Sequence, residues 1–442
     1  MIKKLTEKHL PTVIICIGFI LLVIWPAFLF AFEPANSDSI KKRSRFKIGG
    51  IPVLSYDADL GLKYGAVINL FDYGESKYPP NFEQYLMFRL TNTTRGTVNL
   101  QALLESESLI RNAKVLAEAS YIIDKRLDFF GFNGTQANYN SAFENEGNAN
   151  FISPVFYAHE RKFLRMRFDV QPYISGSKLR LLTGFTFNYF DNSPAKPKSG
   201  TSNQPALYER YIDWGIISPE EKNGGNINYF SLGLVYDSRN DPCYCTRGKW
   251  FETVLLYSPG FMSDAGFTKF IATYRQHFST LNDYITFSFR VSAQQKLSGE
   301  LPYYFIPTFY DTRLSYDGVG GAYNFRGAKR NRIAADGFLV GNFEIKGRFY
   351  SFTFLKQEFY ASATLFYDNA YVTQEYKINL DKVPEDQREL HFNPVKQKLH
   401  HTFGPGFYLV FNKNNVATIH YGFSTDKQLG PGGLYVGASL LF

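Results

Sequence analysis

Cysteine is nearly absent, with three in 442 residues. Cys16 lies in an N-terminal apolar stretch, and the others sit in Asp241-Pro242-Cys243-Tyr244-Cys245. On an extended chain, Cys243 and Cys245 point oppositely, so a bond between them would be strained. Two thiols are also too few for a metal centre. The motif reads as a plain turn, with an intermolecular bridge or a metal contact as alternatives. Methionine and tryptophan are scarce, at four and three. No segment repeats with the 3.6-residue period over a helical length. The mean hydropathy of −0.23 excludes a bundle of transmembrane helices. The seven histidines are scattered and no Gly-x-Ser-x-Gly elbow occurs, so we expect no catalytic residue, no cofactor and no metal. An outer-membrane phospholipase, whose Ser and His need no compact motif, is the enzymatic alternative. The glycines at 318, 320, 321 and 327 could suggest a phosphate cradle, but neither Lys-Ser/Thr nor a helix follows them, which favours a tightly bent loop. The net charge is +8, but the basic residues are spread through strand-like segments. That spread argues for loops, an interior wall and attraction to acidic lipid headgroups, not for nucleic acid.

What the chain has is aromatic mass: 31 Tyr and 43 Phe, 17% aromatic in all. Tyr and Phe suit strands and membrane interfaces. Lys3, Lys4 and Lys8 precede the apolar run Val13 to Trp25, Pro26 ends it, and Ala31 offers a small residue for cleavage. Residues 1–31 read as a secretory signal peptide, with an uncleaved anchor as the alternative. Residues 32–46 read as a short periplasmic linker.

From 47 to 442, strand-like segments follow one another. Leu179, Leu181, Thr183, Phe185, Phe187 and Tyr189 share one face, and Arg180, Gly184, Thr186 and Asn188 the other. Ile285, Phe287, Phe289, Val291 and Ala293 alternate with Thr286, Ser288, Arg290, Ser292 and Gln294. Period-2 patterning over about ten residues per segment is the signature of a transmembrane barrel. A β-sandwich would also alternate, but here the segments are long and many, and the apolar face reaches the end in Leu434, Val436, Ala438, Leu440 and Phe442. Val436, Leu440 and the terminal Phe442 resemble the recognition signal of bacterial outer-membrane proteins. The fold expected is all-β: an antiparallel transmembrane barrel of about sixteen strands in a bacterial outer membrane. Asn150 to Ile174 is taken as one long strand and hairpin arm. Long connections then follow odd strands: Asp124 to Asn150, Asp191 to Asn226, Leu297 to Asp336 and Asn369 to His400. Short ones follow even strands, except Asp72 to Asn81. Asp191 to Glu221 is rich in Pro, Ser and Asn and reads as an exposed loop.

The long connection before the last five strands contains Gly318-Val319-Gly320-Gly321-Ala322-Tyr323-Asn324-Phe325-Arg326-Gly327. Together with Pro52 to Tyr56 followed by Gly61-Leu62-Lys63-Tyr64-Gly65-Ala66, Asp237 to Pro242 with Thr246-Arg247-Gly248, Phe343 to Lys346, Phe366 to Ala370 and Phe403-Gly404-Pro405-Gly406, it resembles the outer-membrane protein insertase superfamily. This is the BamA/TamA or bacterial surface antigen group. Ala328 stands where that family usually has Phe or Tyr. The resemblance implies that the loop, tipped by Phe325, Arg326 and Gly327, folds from outside into the lumen. It also implies that Arg326 meets Glu344 and Asp368 on the inner wall. Strand parity agrees independently, since both acids alternate with apolar neighbours and point inward.

The resemblance implies assistance in assembling or translocating protein, or lipid, at the outer membrane. With only Glu33 to Phe46 before the barrel, it implies a member without periplasmic polypeptide-transport-associated domains. Gly432-Gly433 and Gly437 are expected to loosen the last strand at its seam with the first. Outer-membrane lipid including lipopolysaccharide, a second copy of the chain, or a periplasmic accessory protein are the expected partners. The alternatives are a passive pore constricted by the loop, and a surface adhesin or structural barrel.

Overall fold

The structure is a computed structural model that describes residues 45–74, 82–174, 176–197, 204–241, 244–312, 316–354, 357–411 and 415–438. The expected signal peptide, most of the linker, Cys16, Cys243, Leu440 and Phe442 lie outside the described residues.

The alternating segments form β1 (Phe46–Asp57), β2 (Gly61–Asp72), β3 (Gln84–Thr93), β4 (Thr97–Ile110), β5 (Ala113–Asp128), β6 (Ala158–Pro172), β7 (Leu179–Pro194), β8 (Gly224–Asp237) and β9 (Gly248–Ser258). They continue as β10 (Phe267–Thr280), β11 (Ile285–Gly299), the short β12 (Thr308–Phe309) and β13 (Tyr316–Asp317), β14 (Gly337–Phe354), β15 (Gln357–Gln374), β16 (His400–Phe411), β17 (Asn415–Gly422) and β18 (Gly433–Gly437). All but β12 and β13 join, antiparallel and in chain order, into a closed barrel of sixteen strands, with β18 returning to β1. β12 and β13 pair with each other inside the β11–β14 connection. Among the described residues no helix is long and apolar enough to cross a membrane.

The alternation sorts side chains as expected. On β7, Leu181 and Tyr189 are exposed while Arg180, Thr186 and Asn188 are buried. On β11, Val291 is exposed while Ser288, Arg290, Ser292 and Gln294 are buried. Exposed apolar and buried polar faces on the same strands mean lipid outside and a packed polar lumen inside. Two expectations need correction. Asn150 to Tyr157 is not strand: β6 begins at Ala158, and Phe156 and Tyr157 instead join an aromatic cluster. The connection after Asp191 is not simply exposed, because it contains helix α1 (Leu207–Asp213), with Leu207, Tyr208 and Tyr211 buried.

That aromatic cluster lies on the side of the long connections. Phe130, Phe156, Tyr157, Tyr211, Trp214 and Phe392 draw the β5–β6, β7–β8 and β15–β16 connections together. The last of these carries helix α2 (Glu385–His391). His391 is buried against Trp214, with ring centroids 5.6 Å apart. Burial, with the nearby Arg210 guanidinium, pushes its pKa down to about 4 from the ordinary 6.5. The unfolded loops therefore bind a proton first, and acidification from pH 6.5 towards 4 withdraws stability from this cap. Trp214 fluorescence is expected to shift across that window, and His391→Phe is expected to flatten the response. In the lipid belt, Val291→Arg is expected to destabilise the barrel by about 2–4 kcal/mol in urea titrations in vesicles.

Candidate functional site: the loop tip in the lumen

The connection between β11 and β14 runs inward because its backbone can bend and its charges find partners on the wall. Short bridges Val319–Ile333 and Gly321–Phe325 fold the tip on itself. The Asn324 amide donates to the Gly318 carbonyl at 3.1 Å, and its oxygen accepts from the Gly320 N–H at 2.8 Å. Phe325 is fully buried with Phe309, Val319, Ile333, Phe338 and Val372. Gly327 adopts φ +91°, and a Cβ there would lie 2.6 Å from the Gly422 carbonyl carbon. Only glycine allows that approach of the tip to the end of β17.

Arg326 is 1% exposed. Its Nε and Nη2 donate to the two oxygens of Asp368, both at 2.9 Å, and its backbone N–H donates to Asp368 Oδ2 at 3.1 Å. This two-pronged geometry suits a planar guanidinium and not an ammonium. Glu344 stands further off, 3.8 Å from Nη1. Its Oε1 accepts from Tyr408 Oη at 2.5 Å and from Thr364 Oγ1 at 3.0 Å. The guanidinium also lies 3.7 Å from the Phe366 ring centroid, a cation–π contact. The structure thus brings Arg326, Asp368 and Glu344 together, with Asp368 as the direct partner. Val436 lies elsewhere, on β18 opposite Tyr56 of β1.

Four groups that sequence reasoning overlooked complete the anchorage. Arg330 donates Nε to Asp317 Oδ2 at 2.9 Å and reaches Asp124 on β5 at 3.4 Å. Arg161 on β6 closes the cluster, 2.7 Å from Asp124 and 2.8 Å from Asp317. The tip also touches both sides of the β1–β18 seam. The Gly327 N–H donates to Tyr435 Oη on β18 at 3.0 Å, and the Arg330 N–H donates to Asp59, in the β1–β2 turn, at 3.1 Å. The Lys329 N–H donates to the Leu429 carbonyl, just before β18, at 2.9 Å.

From the opposite mouth, the β8–β9 connection inserts Tyr244. Its ring packs edge-on against Tyr360 and Tyr408, with centroids 5.3 and 6.2 Å away. Cys245 beside it is a buried free thiol. The lumen is therefore occupied from both ends. Among the described residues, no group of three or more His, Cys, Asp or Glu is arranged to hold a metal.

No family model matches the chain, and no curated protein matches it. Solved structures do. A structure of BamA from Haemophilus ducreyi lacking POTRA domains 1–3 aligns with TM-score 0.54 and 13% identity, over 93% of this chain and 76% of that one. CdiB from Escherichia coli aligns with TM-score 0.55 and 10% identity, over 93% of this chain and 68% of that one. At such identities the likeness is one of fold: the chain is a sixteen-stranded outer-membrane-type barrel of the BamA and CdiB kind.

Arg326→Ala leaves Asp368 buried without its counter-charge, a loss of about 3–5 kcal/mol. Arg326→Lys is expected to recover only part of it. Limited proteolysis within 300–336, with the urea midpoint, measures both. An unchanged protease pattern in Arg326→Ala would remove this residue as the anchor.

Proposed function

We propose that the chain resides in a bacterial outer membrane and helps assemble or translocate polypeptide there, through a β1–β18 seam that opens sideways. The observation that supports this most is the thinness of the closure. Among the described residues, which end at position 438, β1 pairs with β2 through twelve residue pairs and with β18 through two, Tyr56–Val436 and Asp57–Tyr435. One further backbone bond among the described residues, from the Ala58 N–H to the Leu434 carbonyl at 3.1 Å, adds to it. An edge so sparsely paired is a template for another strand. The loop tip supplements this seam from inside through Tyr435 and Asp59.

In this role the protein works by exposing backbone hydrogen-bonding groups, without catalysis, cofactor or metal. Lipid, including lipopolysaccharide, surrounds the exposed apolar belt. A second copy or a periplasmic accessory protein gathers substrate. The passive-pore reading fares worse, because the loop and Tyr244 fill the lumen and the aromatic cap draws the long connections together.

The test is a cysteine pair, Tyr56→Cys with Val436→Cys, in a chain whose native cysteines are replaced by serine. Oxidation is expected to stop assembly of a reporter outer-membrane protein in proteoliposomes, and reductant to restore it. Undiminished assembly by the fully cross-linked protein would end the proposal.

A further inference from the structure

The β14–β15 hairpin is longer than its neighbour on one side. β11 pairs with β14 over eleven residues, ending at Ile285–Gly347. The Arg348 N–H still donates to the Tyr284 carbonyl at 2.7 Å. Beyond it, β14 continues to Phe354, paired among the described residues only with β15. On the far edge of the hairpin, β15 is met by β16 from Phe359 onward. The step is therefore one-sided. Eleven doubly paired residues already suffice to span the hydrocarbon, where about 9–11 are needed. Taking those eleven residues as the span, the extra stretch lies beyond it on the side of the short connections, and at about 3.3 Å per residue it adds about 20 Å of strand.

Its sequence is Phe349-Tyr350-Ser351-Phe352-Thr353-Phe354. Free strand edges are normally blunted by charge, proline or brevity. The segment is uncharged, free of Pro and Gly, and of high β propensity, which marks an adhesive edge, and its one irregularity lies at its start. A register shift between Arg348 and Tyr350 places Phe349 and Tyr350 in succession at the surface, 63% and 59% exposed. Tyr350 and Phe352 stack along the outer face, 5.5 Å apart, and Phe352 in turn stacks at 4.9 Å on Phe359 of β15, which is itself buried. Beside the notch, Leu281 and Tyr284 of the β10–β11 turn are also exposed.

We propose that this edge binds an extended, alternately apolar segment of another polypeptide by strand addition on the periplasmic side. Unpaired backbone donors and acceptors select a strand over a helix, and the aromatic row selects apolar side chains at every second position. A second copy does not fit. Two copies in one membrane point the same way, whereas like edges of two β14 strands join antiparallel about a two-fold axis normal to the sheet. As a capture step, this rests on the assembly reading given above.

The full chain in detergent micelles, with a benzophenone amino acid replacing Tyr350, would be irradiated with a labelled peptide of residues 433–442. Cross-linking is expected at position 350 and not at a control probe replacing Tyr257 in the lipid belt. It is expected to be lost with a peptide carrying prolines for Val436 and Ala438, and lost in Thr353→Pro. Phe352→Lys, which keeps every backbone donor, covers the case in which the proline variant fails to fold, as judged by heat-modifiable migration. Equal labelling by the proline peptide, labelling only of a second copy, or no labelling would overturn the inference. Because the readout is binding, its failure alongside intact reporter assembly removes strand capture alone. Capture without assembly removes only the assembly reading.

Discussion

Hydrocarbon offers no partner for a backbone N–H or carbonyl, so the sheet must close on itself, and the whole molecule depends on where that closure is weakest. Among the described residues it is weakest between β1 and β18, with two residue pairs. The lumenal loop compensates from the inside, because its tip bonds to Tyr435 on one side of the seam and to Asp59 on the other. Arg326 itself touches neither seam strand. Its role is to fix the tip against Asp368, so that the neighbouring backbone of Gly327 to Arg330 reaches the seam at bonding distance. The loop is thereby both filling and fastening.

The interior explains why arginine carries this burden. Arg275, Arg290, Arg326 and Arg332 are each 1% exposed or less. A guanidinium keeps its charge and spreads several donors over fixed directions, so it can be satisfied by fixed protein acceptors where an ammonium would need mobile water. Arg332 shows this without any carboxylate. It donates to the carbonyls of Gly134 and Ala137, both at 2.8 Å, and so ties the tip to the β5–β6 connection.

The wall of the barrel was legible in the sequence because its period of two is local. Any inward residue could be read from its neighbours, which put Asp368 and Glu344 on the inner wall; their meeting with Arg326 was implied by the family resemblance. Phe366 has the same parity as Asp368, but an aromatic in a polar lumen ran against the rule that apolar residues face lipid. The Arg161–Asp124–Asp317–Arg330 cluster left no trace, since its members come from β5, β6 and two parts of the loop, and no spacing records their meeting. Helix α1 was invisible for a different reason: seven residues are too few to display a 3.6-residue period. The aromatic run near Phe151 and Phe156 looked like strand because caps and strands draw on the same residues.

Two edges incompletely paired among the described residues, the seam and β14 below Arg348, stand on the same barrel wall, separated by β15, β16 and β17. At about 4.8 Å between strands, the distance from the free edge of β14 to β18 is about 20–25 Å along the rim. An extended polypeptide covers that with fewer than about ten residues. If both proposals hold, one captured strand is long enough to rest on the periplasmic edge while its continuation lies at the seam. Effective concentration then supplies affinity that neither short edge provides by itself. A barrel that gathers substrate this way draws its periplasmic contact from a lengthened hairpin of its own wall.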